Sequence, residues 1–210
     1  MANAQPTKLK ILDAAEELFA ENGFSETSTR QITKKAEVNL ASVNYHFGSK
    51  NELIQAVIER YLEVLVPNIS KELTDLENNN PNPTLEEVFS VFIRPILSLN
   101  QQRKNGTSIL LQLLGRSYTD SQRHMRRFFL GNYGDVVTRF VALVYQAQPG
   151  LSASEIFWRL HFTLGTVVFT MASSGALMDI ARADFDEDIA IEGVVKRLIP
   201  FIAAGVSAPR

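Results

Sequence analysis

The chain has 210 residues, 45% of them apolar, with 21 Lys plus Arg against 23 Asp plus Glu and a net charge of -2. That length suits one domain, or a small one joined to a medium one, and the charge excludes a surface that is basic all over, so any nucleic-acid contact must be a local patch. The absence of Cys removes disulfide scaffolds, zinc ribbons, thiolate nucleophiles and Fe–S sites. MANAQPTKLK at the start carries no apolar run of the kind a secretory signal needs, so a cytoplasmic protein is expected.

The first helix is expected from near Thr7, with Ile11, Ala15 and Leu18 on one face beside Leu12 and Phe19, ending at Asn22-Gly23. Four later starts have the form of a capping box, a Ser or Thr followed three residues on by Glu or Gln: Ser28 with Gln31, Ser49 with Glu52, Thr84 with Glu87, and Ser152 with Glu155. The helix launched at Ser49 carries Leu53, Ile54, Val57, Ile58, Tyr61, Leu62, Leu65 and Ile69 on its apolar side and continues to about Leu76. Pro67 lies inside it, removes one backbone bond and is expected to kink it. After the Asn- and Pro-rich loop 78–83, further helices are expected near 84–100, 107–117, 121–147, 152–176 and 187–204. No segment alternates with period two, so the fold class is all-α: a three-helix DNA-binding unit at 1–50 and a helical bundle at 51–210, connected by the helix 51–77.

Between Arg159 and Asp179 lie 19 residues whose only ionisable side chain is His161. Six polar side chains among them argue for a helix buried between protein helices and not for a membrane span.

Residues 24–50, FSETSTRQITKKAEVNLASVNYHFGSK, are the most informative stretch. A short helix over 29–36, a turn at Glu37-Val38-Asn39 and a second short helix from Leu40 towards Phe47 have the spacing of a helix-turn-helix. Ile32, Ala36, Val38, Val43 and Phe47 would pack inward, leaving Ser42, Asn44, Tyr45 and His46 to face a major groove. Residues 27–50 hold Arg30, Lys34, Lys35 and Lys50 against Glu37, a local charge of +3 on a remainder of -5. A plain helical hairpin with solvated charges is the alternative.

The pieces ILDAAEELFAENGF (11–24), TSTRQITKKAEVN (27–39) and VNYHFGSKNELI (43–54) resemble the N-terminal domain of the TetR family of bacterial transcriptional regulators. The resemblance implies contacts to double-stranded operator DNA from Ser28, Thr29 and Arg30 at the start of the second helix and from Leu40, Ala41, Ser42, Asn44 and Tyr45 on the third. It implies phosphate contacts for Tyr45, His46, Lys50 and Lys8. Where the family often has aliphatic-Tyr-x-His-Phe, this chain has Val43, Asn44 and then Tyr45, so the first aromatic is missing. A carboxamide at Asn44 can bond adenine N6 and N7 bidentately or meet phosphate or water, and both uses stay open.

Further on, LLQLLGRSYTDSQ (110–122), EIFWRLHFTLGTVVFTM (155–171) and IPFIAAG (199–205) are similar to the PsrA-type regulators of that family, which respond to long-chain fatty acids or their CoA esters. The effector site this implies takes Phe92, Gln112, Arg116, Phe128, Tyr133, Trp158, His161, Phe162, Gly165 and Thr166. Aromatics at helical spacing also serve as plain core, and Arg116, Arg123, Arg126 and Arg127 suit either an anionic head group or a solvated face. The last two helices are apolar around too much of their circumference to face water. The family implies a two-fold homodimer there, with Gly165, Phe169, Ser173, Gly175, Phe201 and Ala204 in the interface and half-sites of a pseudo-palindrome about 34–36 Å apart.

No enzyme is expected. Val43, Ser121 and Trp158 stand three before the histidines, so the Glu-x-x-His pairs of a di-iron bundle are missing, as are H-E-x-x-H, G-x-S-x-G and both phosphate-loop patterns. No metal and no cofactor are expected. The reading is a ligand-responsive repressor of fatty-acid metabolism genes, released from its operator by a long-chain fatty acid or acyl-CoA. The alternatives are a relative sensing another hydrophobic or cationic molecule, and a helical lipid carrier that does not bind DNA.

Overall fold

Apolar residues three and four apart, separated by caps and Gly or Pro breaks, give a computed structural model in which eleven helices form among the described residues. These residues are 4–102, 106–120 and 122–209, without the side chains of residues 4, 5, 102, 112, 115–120 and 122–126. The elements are α1 (Ala4–Asn22), α2 (Thr29–Ala36), α3 (Leu40–Phe47), α4 (Lys50–Asn79), α5 (Leu85–Ser90), α6 (Ile93–Gln102), α7 (Gly106–Asp120), α8 (Gln122–Ala147), α9 (Ala153–Ala172), α10 (Ser174–Phe185) and α11 (Ile191–Ser207). No strand occurs among the described residues.

The caps act where the sequence places them. Ser28 with Gln31 and Thr84 with Glu87 form complete capping boxes, while Ser49 and Ser152 accept from the backbone N–H of Glu52 and Glu155. Two expected helices are split and a third is distorted within its length, each for a local reason, and the last helix starts at Ile191, not near 187. The helix expected over 84–100 is two, because Pro95 cannot donate to the Val91 carbonyl and its ring crowds that group. The helix expected over 152–176 breaks at Ser173, where the buried Ser174 hydroxyl donates to the Met171 carbonyl (2.9 Å) and Gly175 follows. The chain then starts α10 at a bend of 69°. Inside α8, Tyr133 leaves helical geometry (φ -131°, ψ 15°) between Gly131 and Gly134. Pro67, by contrast, lies on the exposed side of an α4 that continues through it without a break.

No single helix among the described residues is long and apolar enough to cross a membrane; α9 and α10 reach that composition only together, across the bend.

One hydrophobic cluster runs through the chain, from Ile11, Phe19, Ile32, Val43 and Phe47 through Leu53, Ile58 and Leu73 to Leu110, Ile156, Leu198 and Val206. Helix α4 is its spine and packs on α1, α3, α5, α6, α7 and α8. Two arginines fix the two ends of this spine. Near its start, Arg60 donates to Asp13 (2.7 Å) and to the buried Glu16 (3.2 Å) of α1, and the Tyr61 hydroxyl donates to the same Glu16 carboxylate (2.7 Å). Beyond Pro67, Arg139 of α8 donates to both oxygens of Glu77 (3.1 and 2.6 Å), to the Ser70 hydroxyl (3.0 Å) and to the Thr74 hydroxyl (2.8 Å).

Burial pushes the Glu16 carboxyl above its ordinary range, against the opposing pull of the Tyr61 hydroxyl and the Arg60 guanidinium, and burial likewise raises the Tyr61 phenol. The folded chain therefore holds the Glu16 proton more tightly than the unfolded chain does. The contribution of Glu16 to stability is greatest at low pH and declines as pH rises from about 4 through the raised value. Glu16→Gln should flatten this part of the urea-midpoint profile. Glu16→Ala, which leaves the Tyr61 hydroxyl without its acceptor and Arg60 with Asp13 alone, should cost about 1–3 kcal/mol at neutral pH.

Candidate nucleic-acid interface

The interface candidate is built on α2, the turn Glu37-Val38-Asn39 and α3. Thr27 is buried, and its hydroxyl donates to the Gly23 carbonyl (2.7 Å), closing the corner between α1 and α2. Ile32 and Ala36 bury one side of α2 against α1. Glu37 ends α2 in the left-handed region (φ 55°). Asn39 then caps α3, its side-chain oxygen accepting from the Ser42 N–H (2.9 Å) and hydroxyl (3.0 Å). Val43 and Phe47 anchor α3 in the core. Gly48 leaves the helix at φ 73°, ψ -62°, a conformation hostile to an L side chain.

With one face anchored, α3 shows the other to solvent. Leu40, Ala41, Asn44 and Tyr45 are exposed, Tyr45 at 83% of its surface, while Ser42 and His46 are half-buried. The His46 ring sits edge-on to Tyr45 with centroids 5.1 Å apart. The Asn44 carboxamide makes no hydrogen bond to another described residue. Arg30 is exposed on the first turn of α2 beside the half-buried Thr29. Ser28 is exposed, but its hydroxyl serves the capping box with Gln31, and the Ser42 hydroxyl is similarly held by Asn39. Lys8 is exposed with its ammonium 5.9 Å from the Phe47 ring centroid, and Lys50 lies 4.3 Å from that of Phe24. The local basic excess is smaller than the sequence suggests, because Lys35 pairs with Glu17 of α1.

The expected effector set does not converge on one site. Phe92, in the turn between α5 and α6, stacks edge-on against Phe140 (5.0 Å) of α8, and Phe128 against Tyr133 (5.9 Å), all half-buried. Trp158 and Phe162, expected in the pocket, stand on the outer face of α9, 55% and 66% exposed. Gly165 is on the same face with open space above it. His161 Nδ1 lies 2.6 Å from the Phe157 carbonyl, with the ring against Phe157, and the Thr166 hydroxyl donates to the Phe162 carbonyl (2.9 Å). A helix has one inward stripe, and on α9 it is taken by Ile156, Leu160, Val167 and Met171, so residues 158, 162 and 165 point the other way. The side chains of Gln112 and Arg116 lie outside the described residues.

The residues expected at the subunit interface reach solvent. Gly165, Phe169, Gly175, Phe201 and Ala204 are exposed and Ser173 is half-buried, and Phe157 and Leu164 of α9 are exposed as well. Arg159 fixes this pair of helices by donating to the Val206 carbonyl (2.7 Å) and the Ala208 carbonyl at the end of α11.

A capped three-residue turn, an anchored helix with a displayed outer face and a separate helical body define a helix-turn-helix transcriptional regulator. Residues 11–57 match the model described as bacterial regulatory proteins of the tetR family, and residues 90–205 match a tetracyclin repressor-like C-terminal domain. The chain belongs to the TetR family of transcriptional regulators. The HTH-type transcriptional regulator UidR of Escherichia coli K12 is 47% identical over 196 residues, 93% of this chain and 92% of UidR. Among solved structures, a mutant of HlyIIR superposes with a TM-score of 0.61 at 22% identity, covering 95% and 97% of the two chains. Salmonella enterica GusR gives 0.52 at 19%, covering 97% and 96%. Regulators of this family bind operator DNA, dimerise and take small-molecule effectors, and the chain is not an enzyme.

Gly48→Ala should lower stability by about 1–3 kcal/mol through backbone strain, since the Glu52 carboxylate, 2.5 Å from the added Cβ, can swing away. Amide exchange should accelerate first at the C-terminal end of α3; uniform acceleration across the chain would show that the strain is not local.

Proposed function

We propose that this chain is a cytoplasmic, ligand-responsive repressor that reads a pseudo-palindromic operator as a homodimer, with residues 1–50 contacting DNA, 51–210 binding effector and partner, and α4 joining the two. The observation that carries the DNA reading is the display of α3: Val43 and Phe47 hold it while Leu40, Ala41, Asn44 and Tyr45 stand clear of the core. In the major groove, Leu40, Ala41, Ser42, Asn44 and Tyr45 approach base edges, joined by Ser28, Thr29 and Arg30 from α2. Lys8, His46 and Lys50 meet phosphates. Because Ser28 and Ser42 spend their hydroxyls on helix caps, their share is in backbone placement more than base reading.

Base and phosphate contacts leave different signatures. Asn44→Ala should relax preference at one position, at a cost of about 1–3 kcal/mol on operator and much less on random DNA. Lys50→Ala should weaken both alike and reduce the salt slope by about one unit. Fluorescence anisotropy of DNA from upstream of the chain's own gene, titrated at several salt concentrations, measures both. Equal losses on operator and random DNA for Asn44→Ala would contradict the base contact.

For the effector we infer a hydrophobic small molecule received beside α4 between α6, α7 and α8, with long-chain fatty acids and their CoA esters as the first class to test. Its support is the similarity of 110–122, 155–171 and 199–205 to PsrA-type regulators and the aromatic interior of Phe89, Phe92, Phe128, Tyr133 and Phe140. Phe92, Gln112, Arg116, Phe128 and Tyr133 remain in this site; Trp158, His161, Phe162, Gly165 and Thr166 leave it. By linkage, effector weakens operator binding only as far as it prefers a form whose two α3 helices are misplaced for successive grooves. With α4 held to α1 on one side of Pro67 and to α8 on the other, Pro67→Ala should alter effector-induced release more than operator affinity. Adding acyl-CoA or free acid to the preformed complex reads this, and binding that neither disturbs would keep the regulator while discarding the acyl effector.

Two copies are proposed to meet through α9 and α11, burying Phe157, Trp158, Phe162, Leu164, Gly165, Phe169, Phe201 and Ala204. An exposed apolar surface of this extent marks an interaction face, and Ser173 and Gly175 lie at its edge.

A further inference from the structure

The joint between the DNA-reading unit and α4 carries polar groups that its stability does not require. Helices α1 and α4 pack on each other, and Ile11, Ala15 and Phe19 of the first and Leu53, Val57 and Ile58 of the second lie fully buried in one apolar cluster. Into this packing the chain sets Glu16, 5% exposed, and Tyr61, 2% exposed. A buried charge and its partners can often be replaced by apolar side chains of like volume with no loss of stability. What such a group adds is direction, because apolar contact is indifferent to orientation and a hydrogen bond is not. The directions here are complementary. Tyr61 donates to Oε1 of Glu16 (2.7 Å) and Nη1 of Arg60 donates to Oε2 (3.2 Å), so neighbouring residues of α4, about 100° apart around it, close on one carboxylate from two sides. Nη2 of Arg60 reaches Asp13 (2.7 Å), about one turn earlier on α1. The guanidinium is a planar fork; spanning two turns of α1, it opposes sliding of α4 along α1, while the Tyr61 hydroxyl opposes roll. Helix α2 packs on α1, and α3 packs on α1, α2 and α4, so the pose of α3 on α4 follows this clasp.

We propose that the Glu16–Arg60–Tyr61 clasp is a positioning element for operator binding, which sets how strictly the spacing between two half-sites is read. This rests on the reading of a homodimer on a pseudo-palindrome, and not on which surface joins the two copies. Glu16 and Tyr61 are buried and Arg60 is engaged by two carboxylates, so the three act on DNA through α3 and not by touching it. One base pair added between half-sites moves one of them about 3.4 Å along the duplex and turns it by about 34–36°. A DNA-reading unit locked to α4 in one pose cannot follow that displacement. The same unit held by apolar contact alone has a range of poses and follows it in part, so the clasp is worth more to discrimination than to affinity.

The test uses the full chain as wild type, as Tyr61→Phe, and as the triple variant Glu16→Leu/Arg60→Met/Tyr61→Phe, in which apolar side chains replace the clasp. Fluorescence anisotropy gives Kd on DNA from upstream of the chain's own gene and on the same DNA with one base pair inserted between the half-sites. The wild type is expected to bind the inserted DNA at least tenfold more weakly. In the triple variant this ratio should shrink at least threefold, with binding to random DNA unchanged and the urea midpoint no lower, and Tyr61→Phe should fall between. A general loss of DNA contacts weakens both DNAs alike and leaves the ratio where it is. Because the chain has no Cys, a spin label on Glu26→Cys, exposed between α1 and α2, reads the pose directly. The distribution of distances between the two labels of a dimer should be at least twice as broad in the triple variant. An unchanged ratio, or an equally narrow distribution, overturns the positioning role. If the triple variant does not fold, Tyr61→Phe decides alone, and a ratio equal to that of the wild type overturns it. A wild type indifferent to the insertion contradicts the two-half-site reading instead, and the spin-label widths then decide the clasp by themselves.

Discussion

The grip of Arg60 and Tyr61 on the buried Glu16 carboxylate is the contact on which the arrangement of this chain depends. It fastens the first helix of the DNA-reading unit to the start of α4, and α4 is the spine of everything that follows. A carboxylate taken out of water is tolerable only when its partners stay in place, so the three side chains hold one geometry between α1 and α4. Farther along the same helix, the four hydrogen bonds of Arg139 tie the second half of α4 to α8. Pro67 lies between the two attachments, where the missing N–H weakens the ladder of an otherwise continuous rod.

Two outward surfaces give this arrangement a use. At one end α3 offers polar and aromatic side chains on a scaffold of buried Val43 and Phe47. At the other, α9 and α11 offer large apolar side chains that gain nothing from water. The first surface alone would bind DNA weakly, because a single eight-residue helix reaches few base pairs. The proposed pairing through the second would place two copies of α3 on one duplex, and a two-fold operator would follow from a two-fold protein.

The fold was legible in the sequence because its signals are local. Capping residues at 28, 49, 84 and 152, the apolar spacing along α4 and the turn at 37–39 are each fixed by backbone chemistry within a few residues. The break at Val91-Phe92 has a sequence signal as well, Pro95 four residues beyond Val91. Ser173-Ser174-Gly175 and the glycines flanking Tyr133 are weaker signals, since all these residues also occur inside helices. The inward and outward faces of α9 could not be assigned from sequence: Trp158 and Phe162 look like pocket residues until the other stripe, Ile156, Leu160, Val167 and Met171, is seen to fill the core. Lys35 shows the same limit for charge, since its partner Glu17 is eighteen residues away and spacing alone leaves it in the basic patch.

Hydroxyl-radical footprinting of the chain on DNA from upstream of its own gene tests the central claim most directly. A dimer that sets two α3 helices into one duplex should protect two equal patches related by a dyad, about 10–10.5 base pairs or a multiple of that apart. A single protected patch, or uniform protection without a boundary, would contradict it.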